Sequence, residues 1–189
     1  MPRCLPYLES TRTLIRFAQP TNISAIITYY RTNQVHLKPF EPLREATFYT
    51  QDYWLTEIQN RFHEFHADKS VKLFLFEKTN PSAVIGSVNF SNVIRGAFQS
   101  CTTGYSLAAD KQGQGYMTEA LQVAIHYLFD QLNFHRIMAA YMPHNRRSSQ
   151  LLKRLGFIVE GYARDYLRIN DQWEDHILTS LINPNWRWN

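Results

Sequence analysis

Two cysteines, Cys4 and Cys101, are all that the chain holds. So few, so far apart, cannot build a disulfide framework or a Cys-x-x-Cys metal pair, and the composition points to a reduced compartment, the cytosol. Long hydrophobic runs are missing too. No stretch approaches the roughly 18 uncharged apolar residues of a membrane span, and "MPRCLPYLESTRTLIRF" breaks its apolar residues with Glu9, Arg12 and Arg16 instead of forming a secretion signal. No membrane partner is expected. Charge of one sign is also scarce: 20 Lys and Arg against 16 Asp and Glu leave +4. That balance tolerates an acidic ligand but draws no stripe for direct, sequence-specific binding of nucleic acid. There are neither repeats nor a linker. What is present, 44% hydrophobic and 19% charged residues in 189, suits one folded domain over 1–189.

Along the chain, "RTLIRF" alternates like a half-buried strand and "NISAIITYYRTNQ" changes to helical spacing, with Asn22 as its N-cap. Pro39 and Pro42 interrupt the pattern before "DYWLTEIQNRFHEF", a helix with Tyr53, Trp54, Ile58, Phe62 and Phe65 on one aromatic, core-facing side. "VKLFLFEK" and "AVIGSVNFS" read as a hairpin around the Asn-Pro turn of "TNPS". A third strand, "FQSCTTGYSLAA", runs into "ADKQGQGYMTEAL", and residues 115 to 130 continue as a helix with Met117, Ala120, Leu121, Ala124 and Leu128 on one stripe. "HRIMAAYM" is a further strand, Asn145 to Leu155 a helix closed by Gly156, and "FIVEGYARDYLRI" and "WEDHILTSLI" a last strand pair around "NDQ".

The order strand, glycine turn, helix carries the first chemical signal. Around Gly113 and Gly115 little side-chain cover remains, so several N–H groups can point at one spot beside a helix N-terminus, an arrangement that suits phosphate or pyrophosphate. Two rival motifs fail: GxxxxGK with Ser or Thr is absent, and a dinucleotide fingerprint needs glycine where Thr118 stands. A lone GxG before a helix is as readily a plain turn. Thirty residues on, "NRRSSQLLKRLGF" starts a second helix at Asn145 and ends it at Gly156-Phe157.

Together these stretches resemble the GCN5-related N-acetyltransferases. That family's signature of Gln or Arg, two residues, Gly, one residue and a small residue appears as Gln112-Gly113-Gln114-Gly115-Tyr116-Met117, with Met117 departing from the small residue. Its second signature appears as Asn145, Ser148 and Gly156-Phe157. Further stretches, "FSNVIRG", "HRIMAAYMPHN", "EGYARDY" and "QWEDHILT", are similar to the branch of the family that acts on ribosomal proteins. The resemblance implies an α/β fold with a mixed, mostly antiparallel sheet of about seven strands and helices on both faces. It implies acetyl-coenzyme A as cosubstrate. The amides of Gln114 to Thr118 would hold the pyrophosphate, and backbone at Leu107, Ala108 and Ala109 would pair with the pantetheine arm where a strand splays from its neighbour. Asn145 has two readings, a pantetheine contact and a helix N-cap. Asn33, His36 and Arg44, between the first two helices, fall where relatives bind acceptors.

Direct attack by an amine needs a neutral nitrogen, donors for the oxyanion and a proton for the departing thiolate. Many relatives carry a Glu base and a Tyr acid where this chain has Thr102 and Leu152. For the acid, the family's Asn-x-x-Ser position leads to Ser148, whose other reading is a first-turn residue binding backbone or cofactor. For the base the candidates are Asp165, on the strand after Gly161, then Tyr141 and His144. The missing base favours an α-amine over a lysine: with a pKa of about 7.7 to 8.0 roughly a tenth of it is neutral at pH 7, against about 0.04% for lysine. The resulting expectation is acetylation of a protein N-terminus, an alanine of a small-subunit ribosomal protein, with the ribosome as a further partner. A small-amine or antibiotic acetyltransferase and a non-catalytic ribosome assembly factor are the alternatives. His63 and His66 share a helix face without a third ligand, so no metal is expected, and Cys101 reads as a buried strand residue.

Overall fold

The structure, a computed structural model, describes residues 4–188, so the domain expected over 1–189 reaches past the described residues at 1–3 and 189. Its strands are β1 (Tyr7–Glu9), β2 (Thr13–Arg16), β3 (Val71–Glu77), β4 (Asn80–Ile94), β5 (Ser100–Leu107), β6 (Arg136–Tyr141), β7 (Ile158–Ile169) and β8 (Gln172–Ile182). They form one sheet in the order β1-β2-β3-β4-β5-β6-β8-β7. Every described pair is antiparallel except β5 with β6. Sequence periodicity misses β1, because three residues are too short to show it.

The helices are α1 (Ile23–Thr32), α2 (Gln34–Leu37), α3 (Gln51–His66), α4 (Tyr116–His126) and α5 (Arg146–Arg154). They cover both faces, and β3 shows why. Leu73 and Leu75 point into one apolar cluster with Ala120, Leu121 and Ala124 of α4. Phe74 and Phe76 point into the other, with Ile26 of α1 and Trp54 and Ile58 of α3. Alternate residues of a strand face opposite sides, so a strand apolar at every position must be covered twice.

Three local expectations shift. Asn22 stands at the N-cap position of α1 as expected, but its side chain makes no capping bond; Oδ1 turns back to accept from Gln19 N and Arg16 Nη1, both at 3.0 Å. The hairpin turn closes one step earlier than the Asn-Pro pair, since Asn80 already pairs with Glu77. Past His126 the helical stretch widens into a π-helical turn, Tyr127–Gln131, that keeps Leu128 buried. No described helix is long and apolar enough to cross a membrane.

Candidate active site

The site begins where two strands part. β5 keeps β4 as a partner as far as Leu107, whereas β6 pairs with β5 only from Ser100 to Thr103. Ala108 donates its N–H to Ile85 O at 2.8 Å. By alternation, Leu107 and Tyr105 turn their own backbone groups toward the opened edge. A cleft of about 420 Å³ fills the gap, with Tyr105, Ser106 and Leu107 on one wall and Asn145, Ser148 and Leu151 on the other.

At its end lies the glycine turn. Gly113 and Gly115 adopt φ of 73° and 88°, a left-handed region that costs L-residues with a Cβ. Gly115 stands directly before α4, whose first amides have no partner one turn back. Among the described residues, no backbone acceptor meets the N–H groups of Gly113 to Thr118. The turn is held from behind. Arg12 donates to Gln114 O at 2.7 Å and to Glu119 Oε1 at 2.6 Å, and its guanidinium sits 4.2 Å from the Tyr116 ring centroid. Glu77 accepts from Tyr116 Oη at 2.7 Å and Lys111 Nζ at 2.8 Å. These bonds hold the Glu119 carboxyl, through Arg12, and the Glu77 carboxyl, through Lys111 and then Tyr116, below the usual range.

The cleft is electropositive. The N-termini of α4 and α5 border it, Arg147 and Arg154 line it, and Glu41 is the single carboxylate among its lining residues. Gln112 spans its mouth: the side-chain oxygen accepts from Arg147, and Nε2 lies 2.7 Å from His36 Nε2. An amide nitrogen only donates, so His36 accepts there and carries its proton on Nδ1. Free amides, two helix ends and an unpaired strand edge fit a ligand with a diphosphate at one end and an extended, amide-bearing arm.

The acetyltransferase (GNAT) domain family matches residues 12–158. The chain belongs to the GNAT acetyltransferases. A [ribosomal protein uS5]-alanine N-acetyltransferase of Escherichia coli is 43% identical over 179 residues, which is 95% of this chain and 92% of that protein. The structure of a ribosomal-protein-S5-alanine acetyltransferase from Vibrio fischeri matches with a TM-score of 0.90 at 36% identity, over 98% of this chain and 100% of that one. RimJ of Mycobacterium smegmatis, solved with CoA-disulfide, shares the fold at a TM-score of 0.85 and 24% identity, over 96% of this chain and 88% of that one.

Of the residues that the GNAT signatures single out, Leu107, Gln112, Gly113, Gly115, Tyr116, Met117, Thr118, Asn145 and Ser148 line the cleft. Met117 is buried in the core beneath the turn, so its size is absorbed there. Gln114 stays outside, its side chain donating to Asp110 O. The strand-edge expectation narrows to Leu107, because the Ala108 amide is taken by Ile85 and the Ala109 amide by Asn33 Oδ1 at 2.8 Å. Asn33 is thus buried and ties α1 to the start of the turn instead of facing an acceptor. His36 lines the cleft. Arg44 lies outside it, paired with Glu41 at 3.2 Å over the Phe48 ring.

Asp165 is not brought to the cleft. It sits exposed on a bulge of β7 at φ 47°, its N–H donating to Asp175 Oδ1 at 2.9 Å. Tyr141 and His144 lie outside the lining too, as do Thr102 and Leu152. Sequence reading missed Arg12, Glu77 and Glu119, which hold the turn, and Tyr105 and Glu41 inside the cleft.

Ser148 occupies the α5 N-terminus with both ends fixed. Its N–H donates to Asn145 Oδ1 at 3.1 Å, so Asn145 does cap the helix, and its Oγ lies 2.7 Å from Tyr105 Oη. Burial pushes the Tyr105 hydroxyl up to about 12, so it keeps its proton at neutral pH and can donate to Ser148. The Ser148 hydrogen is then free to point into the cleft.

Cys101, fully buried in β5, is held up to about 12 mainly by burial. At pH 8 only about one molecule in ten thousand carries its thiolate, the reactive form. Native protein is therefore expected to release one equivalent of thiol to a disulfide reagent, from exposed Cys4, and two once denatured. Two equivalents at the native rate would contradict the burial of Cys101. Among the described residues no group of three His, Cys, Asp or Glu stands together to hold a metal.

Proposed function

We propose that this chain transfers acetyl from acetyl-coenzyme A to the α-amine of a protein N-terminus, in a single domain acting in the cytoplasm. The acceptor we favour is the N-terminal alanine of a small-subunit ribosomal protein of the uS5 kind, met free or on the ribosome. The observation that carries this reading is the 43% identity to the uS5-alanine enzyme across 95% of the chain, which spans acceptor-side as well as cofactor-side elements.

In this reading the amides of Gly113 to Thr118 hold the pyrophosphate, Leu107 and Asn145 meet the pantetheine arm, and Gln112, held between His36 and Arg147, borders the ligand at the cleft mouth. The cosubstrate supplies an activated acetyl thioester. Strand β5 and α5 fix that thioester beside the acceptor nitrogen, which supplies the proximity part of the rate. Ser148 gives the leaving sulfur its proton, and Tyr105 holds Ser148 for that transfer. No covalent enzyme intermediate is needed, in keeping with a Cys101 that stays protonated.

Pure protein, acetyl-coenzyme A and three acceptors test this: an alanine-started uS5-type peptide, the same peptide with a blocked N-terminus and an internal lysine, and a panel of small amines. One acetyl group on the first peptide's α-amine, seen by mass spectrometry, is expected. Acetylation confined to lysine or to small amines, or binding to ribosomes without turnover, would overturn the reading.

A further inference from the structure

We infer that Glu41 is the group that takes the proton from the incoming α-ammonium, a role resting on the proposed function. It is the single carboxylate lining a cleft otherwise bordered by Arg147, Arg154 and two helix N-termini. A cation entering that positive surround needs one negative group to meet it, and this is the one the cleft offers. The side chain is largely covered, at 18% exposure. Its backbone carbonyl accepts from Asn170 N at 3.2 Å, fixing the loop to the β7–β8 turn. The neighbouring Phe40 ring faces His144 at 6.4 Å, fixing the loop to the entry of α5.

The carboxylate faces Arg44 of its own loop, 3.2 Å from Oε2, and Tyr29 and Tyr30 of α1. Burial is what chiefly raises both tyrosines, and the Glu41 charge adds to it. Tyr29 donates to Ser106 at 2.9 Å, and Ser106 lies between Tyr105 and Leu107 on the opened strand. Glu41 and the Ser148–Tyr105 pair thus line the same cleft, a candidate base and a candidate acid on one ligand-sized space. His36, the one imidazole in the lining, already accepts from Gln112.

The proton count closes. The ammonium gives its first proton to Glu41, which passes it to water, and the neutral nitrogen forms the C–N bond. The C–S bond breaks, the sulfur takes a proton from Ser148, and the second nitrogen proton returns through solvent to Ser148. One proton is released per acetyl transferred.

Glu41→Gln keeps the size of the side chain and an oxygen for Arg44. The test compares it with wild type on two acceptors: an alanine-started peptide, and the same peptide with a fluorinated first residue whose weakly basic amine is already neutral at pH 7. With the ordinary peptide kcat/KM at pH 7 is expected to fall by about tenfold, since roughly a tenth of an α-amine is already neutral there and can attack without Glu41. With the fluorinated one the variant should stay within about twofold of wild type, since no proton has to be removed before attack. Coenzyme A affinity should not change. A variant within about threefold of wild type on both peptides, or one losing equally on both as a merely structural residue would, overturns this role while the proposed function stands. Wild-type protein that acetylates neither peptide overturns the proposed function and this role together.

Discussion

Replacing Gly115 with valine is expected to abolish coenzyme A binding in calorimetry while the domain stays folded. Gly115 sits at φ 88° and serves as the N-cap of α4. A β-branched residue is a genuine outlier there, and any Cβ would meet Arg12 Nη2 at 3.3 Å, the atom that holds Gln114 O. Strain at this φ and crowding against Arg12 together favour a turn whose amides swing away from the cleft. Losing two or three charge-assisted hydrogen bonds to a phosphate raises Kd by at least about 100-fold. The strain, about 1 to 2 kcal/mol, is small against a domain stability of about 5 to 15 kcal/mol. Gly113→Ala separates strain from crowding: φ is 73°, yet nothing lies within 4 Å of the added carbon. That variant should lose about fivefold in affinity, the worth of about 1 kcal/mol of strain that the free turn relaxes and the bound turn must restore. Unchanged Kd in both would remove the glycine turn from the site.

The turn was legible because its cause is local. Two glycines beside a helix start need left-handed backbone whatever surrounds them, and the apolar stripe from Met117 to Leu128 fixes which way α4 faces. The same holds for Asn145 and Ser148, whose cap bond spans three residues. What braces the turn was not legible, because Arg12 reaches Glu119 across 107 positions and Tyr116 reaches Glu77 across 39. No periodicity links such residues. Asn33 misled for the opposite reason: a polar residue after a helix reads as exposed, and only the packed structure shows that it takes the Ala109 amide in a buried corner. Asp165 read as a base candidate on the strand after Gly161, but it stands exposed on the β7 bulge. Glu41 follows a Lys-Pro-Phe stretch with no motif around it, and becomes notable only when the cleft's other lining residues turn out to carry no acid.

Ser148→Ala is expected to lower kcat for the peptide acceptor by about 10² to 10⁴, the range of a lost general acid, with KM for acetyl-coenzyme A little changed. Tyr105→Phe should lower kcat by about tenfold, because Ser148 keeps its hydroxyl but loses the donor that orients it. Combining them should cost no more than Ser148→Ala alone, since Tyr105 acts only through Ser148 and coupled groups do not add. A thioester whose leaving thiol is strongly acidic should restore both variants toward wild type, because its thiolate departs without a proton. Additive losses, or no restoration, would mean that the pair only packs the cleft wall. The pH dependence has a definite sign. Burial raises the Tyr105 hydroxyl from its ordinary 10.0 to about 12, so the folded state holds a proton that the unfolded chain begins to release near 10. The stability due to that proton is complete at neutral pH and drains away as pH climbs from about 10 to about 12, while Tyr105→Phe, with no proton to lose, should flatten that part of the unfolding curve.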